Sequence, residues 1–560
     1  MNNSVSQKDV MEKTSDQWLW FVDDELIEAL ARQDVLDAKS KKRPVQSASL
    51  VKALSLNTEG KTEEALREVT AALDRGETLP ELVWIKAHLE FQLGQYETAL
   101  RDYEQMLQVS PNHKAGVYNA ALCLEKLERF EEALEAFGKA AELDPILPDT
   151  SLGLGLCHLH CRHAEEAMRV FEQWLQASPS DDRALYGKAL ALHLLGRSEE
   201  AMQLYSKLLL TNGTDTELLT NIIGATMSLG EDAKLREHSE KLLRLRPGAR
   251  VALEGLIRAA IAQEDYKTAA QQGAQLVKIV PQSFEAWFNL GFTHQKMNRL
   301  EQAGQAFAEA IKLCPDSEVA YVGLGTTLQE RGEFPEARKA YERALQLARE
   351  DTTALWNLSI VQERVGNAAE AEKCVEMLVE VEPEREEAWF RLGYYRLVRD
   401  DAAGSIEPFR ICVSIRSDWL DALLNLGLAQ WRSGDAQAAK NTFAQAVARH
   451  PQSADALRAQ AALAIDMGDA TLASDIDSKL EELGERIPEL AYNIGILLQK
   501  ANLYEDAARS YRRAAEEKPD FGEALLNLGH ALKALGQEEE ARSCWQQALE
   551  AKPELAEQYF

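Results

Sequence analysis

Ten prolines keep time along this chain. They are Pro111, Pro145, Pro179, Pro247, Pro281, Pro315, Pro383, Pro451, Pro519 and Pro553, and every interval is 34 residues or a multiple of 34. The first and last are thirteen periods apart, so no residue is inserted or lost between them. Gly213, Arg349, Ser417 and Glu485 occupy the empty slots. Counted from Gln46, the register defines fifteen units, from 46–79 to 522–555. A strict period of this length is the mark of a repeat architecture, in which each unit is one supersecondary element.

Other columns hold the same register. The twentieth residue of the unit is alanine, as at Ala65, Ala99, Ala303 and Ala541, with Leu235 and Ser405 as exceptions. The eighth is Gly, Ala or Ser except at Ile223 and Ile257. In the unit "FEAWFNLGFTHQKMNRLEQAGQAFAEAIKLCPDS", Trp287, Leu290, Gly291, Ala303, Phe307 and Pro315 mark the fixed offsets. Apolar residues recur at three- and four-residue steps, the helical period. A turn, often "LG" or "RG", divides each unit into two helices, and the proline stops the second. Small residues let the two helices approach closely. One such hairpin cannot bury its own apolar face, whereas stacked neighbours can. The units starting at 216 and 250 lack both the small eighth residue and a large twenty-fourth one, with Ser239 and Gly273 at the latter position. The sequence therefore predicts a locally irregular stack or a flexible joint over 216–283.

The columns W-x2-L-G, A-x3-F and the closing proline resemble the tetratricopeptide repeat (TPR), over residues 46–555. The resemblance implies an all-α fold: a right-handed α-solenoid superhelix of about fifteen helix-turn-helix units, with the first helices lining a concave groove. It also implies protein-protein interaction as the common role. The expected organisation is an N-terminal segment 1–45, a continuous array 46–555 and a short tail 556–560.

Along the groove, the sixth residue attracts most interest. It is Asn119, Asn221, Asn289, Asn357, Asn425, Asn493 and Asn527 in seven units. An Asn side chain carries donor and acceptor together and can hold a peptide backbone whatever its side chains. The column resembles the asparagine ladder in the TPR superhelix of O-GlcNAc transferase, at these seven positions only. It is interrupted by residues such as Gly187, Gly323 and Arg391. The fifth residue is aromatic at Trp84, Tyr118, Tyr186, Phe288, Trp356, Phe390 and Tyr492. Packing against the adjacent first helix is the expected role of these rings. The second is often acidic, as at Glu81, Asp149, Glu285, Glu489 and Glu523, which suits a helix start and could steer a basic segment. Lys at the fifth residue with Asn at the ninth, the pair by which some TPR proteins grip a C-terminal carboxylate, occurs in no unit.

The stretch "CHLHCRH", Cys157 to His163, looks like a metal site. The register argues otherwise. Cys157 takes the tenth position, held by Ala191, Ala225 and Ala259 elsewhere, and Cys161 takes one held by Leu93 and Leu127. A structural zinc site needs four convergent ligands, usually from two separated pairs, and no second pair is present. Buried packing is expected, with no metal and no cofactor.

The seven cysteines are scattered, which suits reduced thiols and a cytoplasmic setting. The formal charge of −29 disfavours nucleic acid and anionic membranes as partners. No stretch approaches the ~20 apolar residues of a membrane span. In residues 1–45, Thr14 and Gln17 fit a capping box and Leu19, Val22, Leu26 and Leu30 form a stripe, which predicts one capping or docking helix. The segment "KSKKRP" reads as a basic linker. There is no phosphate-binding glycine loop or nucleophile motif. The expected function is a non-catalytic scaffold or adaptor that binds an extended or helical segment of an unknown protein. A recruiting subunit of an enzyme complex and a self-assembling structural protein are the alternatives, and the terminal repeats leave homo-oligomerisation open.

Overall fold

A computed structural model describes residues 48–143, 148–211 and 213–555. The expected N-terminal helix, the basic linker and the 556–560 tail lie outside the described residues, as do Pro145 and the side chain of Asp149. Every described element is an α-helix, and the thirty helices form fifteen hairpins, from Ala48–Thr58 with Thr62–Asp74 to Gly522–Ala534 with Glu538–Ala551. The chain divides into two compact units, 1–299 and 300–560. Within each, consecutive helices pack against one another and first helices also touch the first helix of the next hairpin.

The hairpin turn is set by one backbone conformation. The fifteenth residue has positive φ in every hairpin: nine glycines, such as Gly94 (74°) and Gly196 (76°), and six other residues, such as Glu128 (57°), Arg162 (63°) and Glu264 (57°). This left-handed residue ends the first helix after the pattern in which glycine is favoured. Several first helices begin on side-chain caps. Asp181 accepts from the Arg183 amide at 2.9 Å, and Asp351 from the Ala354 amide at 2.7 Å. The proline that stops a second helix is tied to the next hairpin, since the indole Nε1 of Trp287 donates to the Pro281 carbonyl and that of Trp389 to Pro383 (2.9 and 2.8 Å).

In most hairpins the core holds a large side chain at the twenty-fourth residue, set against a small eighth residue of the same hairpin. A Cβ on Gly155, eighth in its unit, or on Gly187, sixth in the next, would run into the ring of Phe171. Gly325 stands in the same relation to Tyr341 (2.7 Å) and Gly393 to Phe409 (2.9 Å). These rings are buried. The predicted irregularity at 216–283 takes another form. Ile223 and Ile257 fill the eighth position while Ser239 and Gly273 sit at the twenty-fourth, and Ile223 and Ser239 are both fully buried. The large and small residues have exchanged helices, so the same space is filled from the other side. The helices Asp232–Leu245 and Tyr266–Ile279 keep the length of their counterparts.

Two substitutions test this account. Gly155→Ala forces a methyl onto the Phe171 ring and should destabilise by about 1–3 kcal/mol. Glu128→Gly or Glu264→Gly relieves a left-handed non-glycine residue and should stabilise by about 0.5–1 kcal/mol each. Urea unfolding followed by circular dichroism reads both.

Candidate functional site

The seven asparagines fall into distinct environments. Asn119 and Asn221 are buried, at 4% and 2% exposure. The Asn119 amide donates to the Tyr103 hydroxyl at 3.2 Å, and that of Asn221 donates to Tyr186. Asn527 donates to Tyr492 at 3.2 Å, and Asn357 is hydrogen-bonded to Tyr341. Asn425 donates back to the Asp421 carbonyl of its own helix at 2.8 Å. Asn289 is half-buried and Asn493 exposed, and their side chains make no hydrogen bond among the described residues.

A pattern in the sequence accounts for the first four. All four tyrosines at the twenty-fourth position, Tyr103, Tyr205, Tyr341 and Tyr511, are followed sixteen residues later by asparagine, at 119, 221, 357 and 527. Phe137, Phe171 and Phe307 are followed instead by Gly153, Gly187 and Gly323, and Phe443 by Ala459. Phe409 is the exception, followed by Asn425, whose amide turns back to its own helix. A phenol brought to this interface carries a hydroxyl that needs a polar neighbour. A phenyl ring needs only room. At the four tyrosine positions the asparagine stands beside a phenol, Tyr103 or Tyr341 in two units and the fifth-residue Tyr186 or Tyr492 in the others, while the Tyr205 hydroxyl has no hydrogen-bond partner among the described residues and the Tyr511 hydroxyl donates to Gln499 at 2.8 Å. Burial sharpens the need: it holds the Tyr341 phenol up at about 12.

Several fifth-residue rings meet the adjacent first helix as expected: Tyr186 and Tyr492 accept from Asn221 and Asn527, and Arg391 lies over Trp356. Others also lie against the second helix of their own hairpin. Trp84 meets Tyr103 edge-on at 5.5 Å, Tyr118 meets Phe137 at 5.8 Å, and Phe390 meets Phe409 at 5.6 Å. The last residue of the unit closes over the other side in places. Phe390 stacks on Trp419 at 4.6 Å, and the Arg385 guanidinium sits 4.5 Å from the centre of Trp356. The acidic second residues are partly neutralised locally. Glu489 pairs with Lys518 (3.0 Å) and Glu523 with Lys552 (2.5 Å), each lysine at the end of the same unit.

At "CHLHCRH", Cys157 is fully buried, His160 stacks on Phe130 at 4.2 Å, and the exposed His163 stands at the N-cap of the next helix. Among the described residues no three His, Cys, Asp or Glu side chains gather closely enough to hold a metal. All seven cysteines are free thiols. Burial pushes Cys374 up to about 11 and Cys412 up to about 12, and Cys157 higher still, with Glu125 adding to the effect. The thiolate is the nucleophile, so these groups are unreactive near neutrality. Glu125 itself is 5% exposed, and its Oε2 has no hydrogen-bond partner. Burial raises its carboxyl to about 7, opposed only by Lys126.

The sequence reading passed over the ninth and thirteenth residues of the first helices. Tyr394 and Val398 occupy them in the unit 386–419 and are 44% and 67% exposed, large apolar groups open to solvent.

Two measurements separate structural from available groups. Asn119→Ala removes a buried hydrogen bond to Tyr103 and should cost about 1 kcal/mol, whereas Asn493→Ala should stay within about 0.5 kcal/mol. Glu125 titrates higher in the folded chain than in the unfolded one, so the native state loses stability as pH rises from about 4.5 through 7. Glu125→Gln removes that loss. Its stability relative to wild type should rise by about 3 kcal/mol between pH 4.5 and pH 8.

Four tetratricopeptide-repeat family profiles match the chain, over residues 282–350 and 316–383, 86–148, 129–182 and 492–556, 162–220, and 421–453. Together they cover more than half of it. No curated protein sequence matches at a significant level. Among solved structures, YrrB, a TPR protein with an unusual peptide-binding site, is 20% identical, covering 34% of this chain and 99% of its own, with a TM-score of 0.32. Naa15/Naa10 bound to HypK-THB is 14% identical, with 90% and 93% covered and a TM-score of 0.28. The APC/C hetero-tetramer Cut9–Hcn1 is 15% identical, with 79% and 93% covered and a TM-score of 0.31. None of the described helices is long and apolar enough to cross a membrane. The chain belongs to the tetratricopeptide-repeat family, an all-α repeat architecture of the protein-interaction scaffold type.

Proposed function

We propose that the chain is a non-catalytic adaptor that holds an extended segment of a partner protein on the exposed face of its first helices. The observation that carries the reading is the state of Asn289, Asn425 and Asn493. These side chains are not committed to a tyrosine and are at least partly open to solvent. Each keeps a free donor, acceptor or both for a passing backbone amide. Asn357 and Asn527 are half-buried and retain one partner group beside the bond they make. Within the second compact unit the proposed ladder therefore rests on Asn357, Asn425, Asn493 and Asn527; Asn289 belongs to the first unit, and Asn119 and Asn221 serve the core.

Apolar grip would come from the ninth residues. Ile360, Leu428 and Ile496 are half-buried along the same helices, where a fully packed core residue would be closed off. An amide contact repeated once per hairpin fixes backbone direction, and neighbouring apolar contacts supply affinity.

The test is a pull-down from native lysate with mass spectrometry, comparing wild type with Asn425→Ala/Asn493→Ala after circular dichroism has shown equal folding. Loss of a partner from the double variant is the expected outcome. Identical partner sets for the two baits would overturn the ladder.

A further inference from the structure

One stretch of the first-helix face, in the units 352–385, 386–419 and 420–453, sets two arginines, unpaired among the described residues, beside an exposed apolar centre. Six other arginines of these units are neutralised. Arg385, Arg391, Arg396, Arg399, Arg410 and Arg416 each lie within 4.0 Å of a carboxylate. Arg364 and Arg432 are exposed and form no ion pair or side-chain hydrogen bond among the described residues. They occupy the same position, the thirteenth, in units on either side of Val398. The column through the five consecutive units 318 to 487 reads Glu330, Arg364, Val398, Arg432, Asp466. Two unneutralised cations thus bracket an exposed apolar centre, and an acid lies beyond each.

The apolar centre is substantial. Val398 is 67% exposed and Tyr394, one turn earlier on the same helix, is 44% exposed. Half-buried Ile360, Leu428 and Trp431 continue it onto the neighbouring first helices. That these helices adjoin is shown by contacts across them: Tyr395 donates to Glu363 at 2.9 Å, and Leu397 packs with Leu426 in one buried cluster. One oxygen of Glu363 is held by Arg391 and Tyr395, and Asp466 accepts from the Trp431 indole at 2.8 Å. Neither acid pairs with Arg364 or Arg432.

We propose that this face binds an extended protein segment in which two acidic residues flank an apolar one, with the carboxylates taken by Arg364 and Arg432 and the apolar side chain set against Tyr394 and Val398. The inference rests on the adaptor reading above and gives that face its ligand class. Guanidinium groups pair with carboxylates through fixed, directional donors, and an exposed aromatic beside them is the usual anchor of a binding face. The geometry sets the spacing. Packed helices lie about 8–10 Å apart, and an extended chain in the polyproline II conformation advances about 3.1 Å per residue and returns to the same face every third residue, so each hairpin spans roughly three residues of ligand. The two acids should stand about six residues apart with the apolar residue midway. The net charge of −29 opposes an acidic ligand at long range, but at physiological salt that field decays within about 8 Å, while contact pairs persist. The acids Glu330 and Asp466 limit the basic stretch to three hairpins and select against longer acidic runs.

The experiment selects a phage-displayed library of random peptides, about twelve residues long, on the full chain at physiological salt. The leading peptides are then synthesised and their affinity measured for wild type, Arg364→Glu/Arg432→Glu, Tyr394→Ala/Val398→Ser and Asn425→Ala/Asn493→Ala. All these sites are at the surface, and circular dichroism checks that every variant is folded. The expected result is enrichment of the acidic–apolar–acidic pattern, with a loss on the order of tenfold or more on charge reversal and retained binding for Arg364→Lys/Arg432→Lys. Enrichment of basic or uncharged peptides, affinity indifferent to charge reversal, or no enrichment overturns the proposal. Peptides that depend on Asn425 and Asn493 but not on the arginines would overturn it and leave the adaptor reading standing. Peptides that depend on neither pair would remove both.

Discussion

Everything in this molecule hangs on how one large side chain per hairpin is housed. The twenty-fourth residue reaches from the second helix into a space bounded by the eighth residue of its own first helix and the sixth residue of the next. Phe171 between Gly155 and Gly187 is the plainest case. The constraint is volume, and close-packed interiors enforce it strictly. It accounts for the unbroken period, since a residue inserted within a helix would turn the ring at that junction away from its seat. It also explains why the array tolerates Ile223 with Ser239 and Ile257 with Gly273. What is kept through the stack is the filled space, not the helix that fills it.

That constraint also decides which asparagines are free. The sixth position was read in the sequence as a groove position alone, because columns were compared down the repeats and not across them. Reading the twenty-fourth residue together with the residue sixteen later exposes the link between tyrosine and asparagine, and between most phenylalanines and a small residue. The signal was present in the sequence and needed only the right pairing. Asn119 and Asn221 are core residues because Tyr103 and Tyr186 require them. Asn493 follows Asp477, and Asn289 follows Gly273, where no ring hydroxyl asks for a partner.

Other features were legible to different depths. Period, helix boundaries and hairpin turns followed from proline, alanine and glycine columns, because local backbone chemistry fixes them. The role of "CHLHCRH" followed from register, since alanine and leucine hold the cysteine positions in other units. The direction of the fifth-residue rings followed only in part, since they also meet the second helix of their own hairpin. Whether Phe390 turns toward a neighbouring first helix or toward Phe409 depends on side-chain rotation that periodicity does not encode. The isolation of Arg364 and Arg432 was equally hidden, because it depends on where Glu363 and Asp466 spend their bonds.

The seat shared between hairpins has a consequence for where one repeat ends. By sequence the boundary falls near the proline, at the change of unit. By packing it falls later, because the sixth residue of each unit completes the core of the one before. Gly187 belongs energetically with Phe171, and Asn357 with Tyr341. A segment excised at the prolines would part a ring from half its socket, and two hairpins joined there would meet with mismatched volumes unless the incoming sixth residue suited the outgoing ring. The transferable module is a hairpin together with the next first helix. Exchange of repeats within this array, by recombination or by design, is limited by that shared seat: the incoming sixth residue must leave the outgoing ring its room.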